Sequence, residues 1–199
     1  TLGGHRWRTD HSDTEVVIHA YEQWGTECVE RFRGDFAIAL WDSRKDRLWL
    51  IRDRAGVKPL YYAHVSGGLA FASEIKALFE LPQVPRRMKE QSVYHYLSFL
   101  VPPAPDTMFE GIYKLASATQ MIVTGTGSVR TEKYWDPLEN ADPLTGVPEK
   151  EIQERVLDEL RTSVRYRKVS DVPVGIFLSG GVDSSANAAL FSEDGDEVR

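Results

Sequence analysis

The residues that most clearly suggest chemistry lie near the C-terminal end, in the string "LSGGVDSS". Gly180 and Gly181 allow a sharp turn that brings backbone amides close to a ligand. Ser179, Ser184 and Ser185 add hydroxyl groups, and the helix predicted after the loop would direct its positive end toward the same point. The string predicts a phosphate site, and the simpler alternative is a plain strand-to-helix turn with a serine cap.

Asp183 lies within this loop and limits the classes of ligand that the loop could bind. A carboxylate is unfavourable against bare phosphate, but it could hold Mg²⁺ that is itself bound to phosphate. The loop lacks the lysine of a Walker A motif and does not match the dinucleotide fingerprint G-x-G-x-x-G. The sequence therefore predicts a different class of nucleotide loop, with Asp183 as a metal-binding candidate.

Asp13 is the second candidate, in "SDTEVVIHAYEQWG" (residues 12–25). Ser12 and Glu15 match a capping box, helical spacing of apolar residues follows, and Gly25 is a stop signal. The helix dipole favours a carboxylate at Asp13. With Ser12 as the cap, the Asp13 oxygens would be free to bind an ammonium group, although a simple helix-terminal role is the alternative.

Several other reactive residue types receive structural interpretations. We expect Arg52, Asp53 and Arg54 to form an ion-pair network, and Cys28 to be a buried small apolar residue. Lys58 is assigned no role. The five histidines show no metal-ligand spacing along the chain.

A β-rich region must position Asp13. Residues 35–42 alternate with period two and are apolar at both sets of positions, which predicts a strand covered on both faces. Together with residues 47–53, 59–65 and 68–73 it predicts a four-stranded antiparallel meander. We further predict helices in "EIKALFEL" and "EQSVYHYLSFL" and a hairpin over residues 118–135.

A second region must position the glycine loop. Residues 136–148 are rich in Pro, Asp, Asn and Gly and predict a linker. An amphipathic helix, an apolar strand, the loop and another helix follow, which is typical of the start of an α/β domain. The predicted boundaries are thus a first domain over residues 1–135, the linker, and a second domain over residues 149–199.

Composition limits the classes of function. The net charge of −6 and the pI near 5.4 argue against non-specific nucleic-acid binding. A single cysteine permits no intramolecular disulfide and fits a reducing compartment. No apolar run reaches membrane-spanning length, so we expect a cytoplasmic protein without a membrane partner.

Five motifs together resemble one enzyme family. The strings "SDTEVVIHAYEQWG", "FRGDFAIALWD", "RDRAGVKPLYY", "FASEIKAL" and "DVPVGIFLSGGVDSS" occur in the order found in glutamine-hydrolysing asparagine synthetases. The last resembles the pyrophosphate loop of N-type ATP pyrophosphatases. The resemblance implies a class II glutamine amidotransferase domain with an α+β Ntn-hydrolase antiparallel sandwich, followed by the first helix-strand-loop-helix unit of an α/β ATP-pyrophosphatase domain.

The resemblance also implies a reaction and its site residues. ATP and Mg²⁺ would activate aspartate as β-aspartyl-AMP, and ammonia from glutamine would displace AMP. Asp13 would bind the α-amino group of glutamine, and Leu178 would touch the nucleotide. Other implied partners are aspartate or another acceptor, and a second copy in a homodimer. The residues implied to hold pyrophosphate are Ser179, Gly180, Gly181, Asp183, Ser184 and Ser185.

The chain departs from the family at its ends. The family nucleophile is an N-terminal cysteine, whereas this chain begins at Thr1, so we expect a fragment that is inactive alone and whose cysteine lies upstream. Thr1 itself is disfavoured as nucleophile because the Asp13 motif normally lies far downstream of that group. The alternatives are an amidotransferase with another acceptor, similar to β-lactam synthetases or polysaccharide-associated enzymes, or a non-catalytic module that lost the nucleophile.

Overall fold

The computed structural model describes residues 4–9, 12–139, 141, 143–170 and 172–193. It divides into two compact units, Thr1–Asn140 and Ala141–Arg199. Within the described ranges, no helix combines the length and apolar character needed to cross a bilayer.

The first unit contains three α-helices, one 3₁₀ helix and seven strands among its described residues. The helices are α1 (Asp13–Trp24), the 3₁₀ helix Gly25–Arg31, α2 (Ile75–Leu78) and α3 (Glu90–Phe99). The strands are β1 (Ala37–Asp42), β2 (Arg47–Arg52), β3 (Tyr61–Val65), β4 (Gly68–Ala72), β5 (Ile112–Lys114), β6 (Thr119–Thr124) and β7 (Val129–Lys133).

The predicted first helix is confirmed, but its capping box is wrong. Ser12 occupies the N-cap position without a side-chain cap hydrogen bond. Glu15 instead accepts hydrogen bonds from the backbone amides of Arg8 (2.6 Å) and Thr9 (2.8 Å), and from the Thr9 hydroxyl. These bonds, above all the one from Thr9, lower the pKa of Glu15 to about 2. Glu15 therefore ties the preceding segment to the helix rather than closing the box.

The predicted four-stranded meander is wrong, because its strands belong to two separate sheets. One antiparallel sheet has the order β1-β2-β6-β7, and the other has the order β4-β3-β5. β2 pairs with β6, so that Trp49 lies opposite Ile122, and the chain turns away from the first sheet after Arg52. The hairpin predicted over residues 118–135 is confirmed as the β6–β7 pair.

The expectation that β1 is covered on both faces is also wrong for the described residues. β1 is an edge strand of its sheet. Ile38 and Leu40 pack against the buried cluster that contains Trp49, whereas Ala39 is exposed and Trp41 is 57% exposed. One face of β1 is therefore open to the groove described below.

The second unit contains α4 (Glu149–Arg167) and α5 (Val182–Ser192), both as predicted. Arg161 of α4 pairs with Glu193 just after α5, with Nε and Oε2 2.9 Å apart. The apolar strand predicted before the glycine loop is wrong: residues 172–178 form no strand pairing, and Phe177 is 99% exposed. A β-strand needs a neighbouring strand that pairs with its backbone amides and carbonyls. The described part of the second unit contains no strand that could pair with this segment.

Candidate functional site

A broad open groove in the first unit contains Asp13. The groove has a volume of about 1830 Å³ and is lined by the first turns of α1, by residues 31–36 and by β1. Asp13 is exposed at the N-terminal end of α1, and the Thr14 hydroxyl lies 3.5 Å from its Oδ1. The carboxylate therefore sits beside the positive end of the helix dipole and faces a space large enough for a small amino acid.

A turn after β2 brings Lys58 to the same groove. The turn is built around Asp53, which is only 1% exposed. The Asp53 carboxylate accepts hydrogen bonds from the backbone amides of Val57 and Lys58, each at 2.9 Å. The backbone amide of Gly56 also donates to the Asp53 carbonyl, at 3.0 Å. Asp53 thus fixes the path of the chain into the groove wall.

The predicted ion-pair network of Arg52, Asp53 and Arg54 is wrong. Among the described residues, all three use backbone groups as hydrogen-bond partners instead of one another. Arg54 donates to the carbonyl of Glu30 at 2.9 Å. A guanidinium presents several donors in a fixed plane, which suits a cluster of carbonyls as well as it suits a carboxylate. The carbonyls bound by Arg52 are those of Gly56 (2.6 Å), Leu115 (2.7 Å) and Lys58 (2.8 Å).

Cys28 is a core residue, as predicted. It is fully buried beside Val29 and Trp49, and burial raises the pKa of its thiol to about 11. A thiol with that pKa is protonated at neutral pH and is a poor nucleophile. Cys28 is therefore not suited to attack an amide.

In the second unit, the glycine loop folds into a compact turn. Gly180 has φ +80°, which is a left-handed conformation that glycine adopts without a steric penalty. The hydroxyls of Ser179 and Ser184 lie 3.0 Å apart, and Ser184 also donates to the Gly181 carbonyl at 3.1 Å. The Ser185 amide donates to the same carbonyl, which begins α5. The structure thus brings these five predicted residues together at a helix N-terminus.

Asp183 and Leu178 flank this turn. Asp183 lies in the first turn of α5 and is exposed, and Leu178 is 66% exposed. A carboxylate is a ligand type that suits Mg²⁺, which keeps several waters and prefers to bind through one or two carboxylates together with substrate phosphates. The residues present therefore fit the predicted metal. The predicted site residues fall in both units, with Asp13 in the first and the loop in the second.

Two groups of residues were missed by reasoning from the sequence. Lys58 lines the groove because Asp53 closes the preceding turn. The sequence signal for this turn was the short distance between Asp53 and Lys58 in "RDRAGVK", with Gly56 between them. His5, His19 and Glu22 converge on one another although the histidines showed no metal-ligand spacing. That convergence depends on the segment before α1 lying against the helix, which no periodicity reveals.

Two protein-family models match the chain in succession. The glutamine amidotransferase domain model matches residues 1–135, and the asparagine synthase model matches residues 155–199. The first covers more than half of the chain. The order agrees with the resemblance carried by the five motifs.

Curated relatives of equal identity to this chain carry two different names. A putative glutamine-hydrolysing asparagine synthetase of Mycobacterium bovis is 36% identical over 195 residues, covering 96% of this chain and 30% of that protein. "Amidase chry2" of Gibberella zeae is 36% identical over 188 residues, covering 92% of this chain and 27% of that protein. The chain therefore spans less than a third of the length of these curated relatives.

Among solved structures, the chain is similar to glutamine phosphoribosylpyrophosphate amidotransferase from B. subtilis in complex with ADP and GMP. The TM-score is 0.42 at 14% identity, over 95% of this chain and 39% of that one. The family match over residues 1–135, together with the motifs and the groove that contains Asp13, leads to one conclusion: the chain belongs to the glutamine amidotransferase domain family.

Proposed function

We propose that this chain is the glutamine-using part, and the beginning of the ATP-using part, of an amide synthetase that converts aspartate to asparagine. The observation that carries the proposal is the succession of a glutamine amidotransferase match and an asparagine synthase match on one chain. Ammonia released from glutamine in the first part would be consumed in the second. The M. bovis relative, whose name states this activity, supports the proposal.

In the first unit, Asp13 would bind the α-amino group of glutamine. Its exposed carboxylate in the groove and its place at the start of α1 support this role. The nucleophile that cleaves the amide would be an N-terminal cysteine outside the residues of this chain. Buried Cys28, with its thiol pKa of about 11, is not a candidate.

In the second unit, the loop from Leu178 to Ser185 would hold ATP. Backbone amides at Gly180 and Gly181 and the N-terminus of α5 would bind the pyrophosphate part, together with the hydroxyls of Ser179, Ser184 and Ser185. Asp183 would hold Mg²⁺, which when bound would neutralise phosphate charge and stabilise the leaving pyrophosphate. The aspartate β-carboxylate would attack the α-phosphorus and release pyrophosphate, and ammonia would then displace AMP from β-aspartyl-AMP.

An amidotransferase with a different acceptor is the second candidate. The observation that favours it is the "Amidase chry2" relative, which is as similar to this chain as the M. bovis protein. The motifs described above concern glutamine and ATP rather than the acceptor. An acceptor scan with the complete enzyme, using release of AMP and pyrophosphate as the signal, separates the two candidates: stimulation by aspartate supports asparagine synthesis.

The site assignments are tested in the complete enzyme with two variants. Asp13→Asn should raise KM for glutamine by about 10-fold to 100-fold, because a hydrogen bond to a charged group is worth about 1.5–3 kcal/mol. Asp183→Ala should weaken binding of ATP·Mg²⁺ by a similar factor and leave KM for glutamine unchanged. The matched control is Asp158→Ala, which removes an exposed carboxylate on α4. An unaltered KM or an unaltered ATP affinity would refute the corresponding assignment.

A further inference from the structure

Three side chains outside the proposed catalytic roles converge at the middle of α1. His19 and Glu22 are three residues apart on that helix, and His5 comes from the segment that precedes it. Glu22 Oε2 lies 3.0 Å from His19 Nδ1 and 3.4 Å from His5 Nδ1. The two imidazole rings pack against each other with their centroids 4.7 Å apart and their planes tilted by 34°. Two ring nitrogens therefore approach one carboxylate oxygen from neighbouring directions.

These separations match the donor spacing of a tetrahedral metal site. Zinc binds imidazole nitrogen and carboxylate oxygen at about 2.0–2.2 Å, which places neighbouring tetrahedral donors roughly 3.3 Å apart. One ligand atom from each of the three side chains lies within 4.8 Å of the others, which brings all three near that donor spacing. Two histidines and one carboxylate with an open fourth position are a ligand set that zinc uses.

The surroundings of His19 resemble those of a metal-bound histidine. Its second ring nitrogen, Nε2, lies 3.4 Å from Glu15 Oε1. Metal-ligating histidines commonly donate their other N–H to a carboxylate, which orients the ring and increases its basicity. Glu15 is itself held by the amides of Arg8 and Thr9, and the Trp7 ring packs edge-on against His19 at 4.8 Å.

The geometry points to a site for one Zn²⁺ ion, or a divalent transition metal of similar preference, bound by His5, His19 and Glu22 with water as the fourth ligand. The ion would join residues 4–9 to α1 and so fix the segment that leads toward Asp13. This site is separate from the Mg²⁺ proposed at Asp183, whose ligands are all oxygen atoms. It does not depend on the proposed function.

The test is a zinc titration of the full 199-residue chain without an affinity tag, by calorimetry with a competing chelator. One ion per chain should bind with a dissociation constant on the order of a micromolar or lower. Co²⁺ in place of Zn²⁺ should give the visible absorption of a tetrahedral site. His5→Ala, His19→Ala and Glu22→Gln should each weaken zinc binding by at least about tenfold, and Glu15→Gln by about 10-fold to 100-fold.

The matched control is His64→Ala, which removes an exposed imidazole on β3, away from the three ligands. It should leave the zinc affinity unchanged. Glu22→Gln keeps the shape of an exposed side chain, so it remains informative if a histidine variant misfolds. Absence of binding at roughly 100 micromolar zinc, or equal affinity in the wild type and the ligand variants, would overturn the proposal and leave the cluster as a set of hydrogen bonds.

Discussion

Replacing Asp53 by asparagine tests how the turn that carries Lys58 is held. In the structure the Asp53 carboxylate accepts two backbone hydrogen bonds, from Val57 and Lys58, and is 1% exposed. Asparagine keeps the size of the side chain but offers one oxygen and one NH₂ group. One backbone amide would retain an acceptor, and the other would face a donor.

The expected cost follows from those two bonds. Hydrogen bonds to a charged group contribute about 1.5–3 kcal/mol each, and a buried amide left without an acceptor costs about 1–3 kcal/mol. The asparagine side chain loses one bond and weakens the other, while removing the buried charge offsets part of the loss. We expect Asp53→Asn to lower the free energy of unfolding of the first unit by about 2–4 kcal/mol.

Urea denaturation followed by tryptophan fluorescence measures this change. All five tryptophans lie before residue 140, so the signal reports on the first unit. The midpoint should fall while the slope with denaturant stays the same. Asp158→Asn, an exposed change in the second unit, serves as the control and should alter stability by less than about 0.5 kcal/mol. A loss below about 0.5 kcal/mol for Asp53→Asn would refute the role assigned to the buried carboxylate.

Three further predictions concern the same unit. Arg52→Lys should lower the free energy of unfolding by about 1–3 kcal/mol, because an ammonium cannot reach all three carbonyls to which the planar guanidinium donates. A free energy of unfolding equal to that of the wild type within experimental error would contradict the role of these three hydrogen bonds. Gly56→Ala should destabilise more than Gly67→Ala in the same urea assay. Both have positive φ, but a Cβ at Gly56 would lie 3.1 Å from Ser117 Cβ, whereas Gly67 has open space. Cys28 should resist iodoacetamide at pH 8 in the native chain and react after unfolding. The thiol pKa of about 11 keeps Cys28 protonated at pH 8. Because the thiol ionises more easily in the unfolded chain, the free energy of unfolding should fall as pH rises from about 8.5 through 11. Rapid labelling of the native chain would contradict the burial of Cys28.

Short-range sequence signals predicted α1, α3, α4, α5 and the β6–β7 hairpin well, whereas the helix predicted in "EIKALFEL" is limited to Ile75–Leu78 and the 3₁₀ helix Gly25–Arg31 was not predicted. Helical periodicity and Gly25 located α1, and the tip sequence Gly-Thr-Gly located the turn between β6 and β7. Such features depend on contacts between residues near each other in the chain, so the local sequence is sufficient. The sheet order was mispredicted because β2 takes its second neighbour from β6, about 70 residues later. Strand periodicity shows which residues form a strand but not which strand lies beside it.

Hydrogen-bond partners of charged side chains were decided by the tertiary structure. "SDTE" suggested a capping box, yet Glu15 bonds to Arg8 and Thr9, because these donors lie against the helix. "RDR" suggested ion pairs, yet Asp53 and its two neighbours bond to backbone groups, some in the same turn and some in distant segments. A charged residue takes the nearest partner available in three dimensions, and distance along the chain does not give that information.

The sequence by itself determined the chemistry of the two candidate sites: a carboxylate at the start of α1, and a glycine-serine loop at the start of α5 with Asp183 beside it. Those features are local, and the residue types fix which ligands they can bind. Only the tertiary structure placed Lys58 in the wall of the groove that contains Asp13 and brought His5 against His19 and Glu22. Both arrangements require segments to fold back onto a helix or a strand, and the backbone hydrogen bonds of Asp53 and Glu15 hold those segments in place.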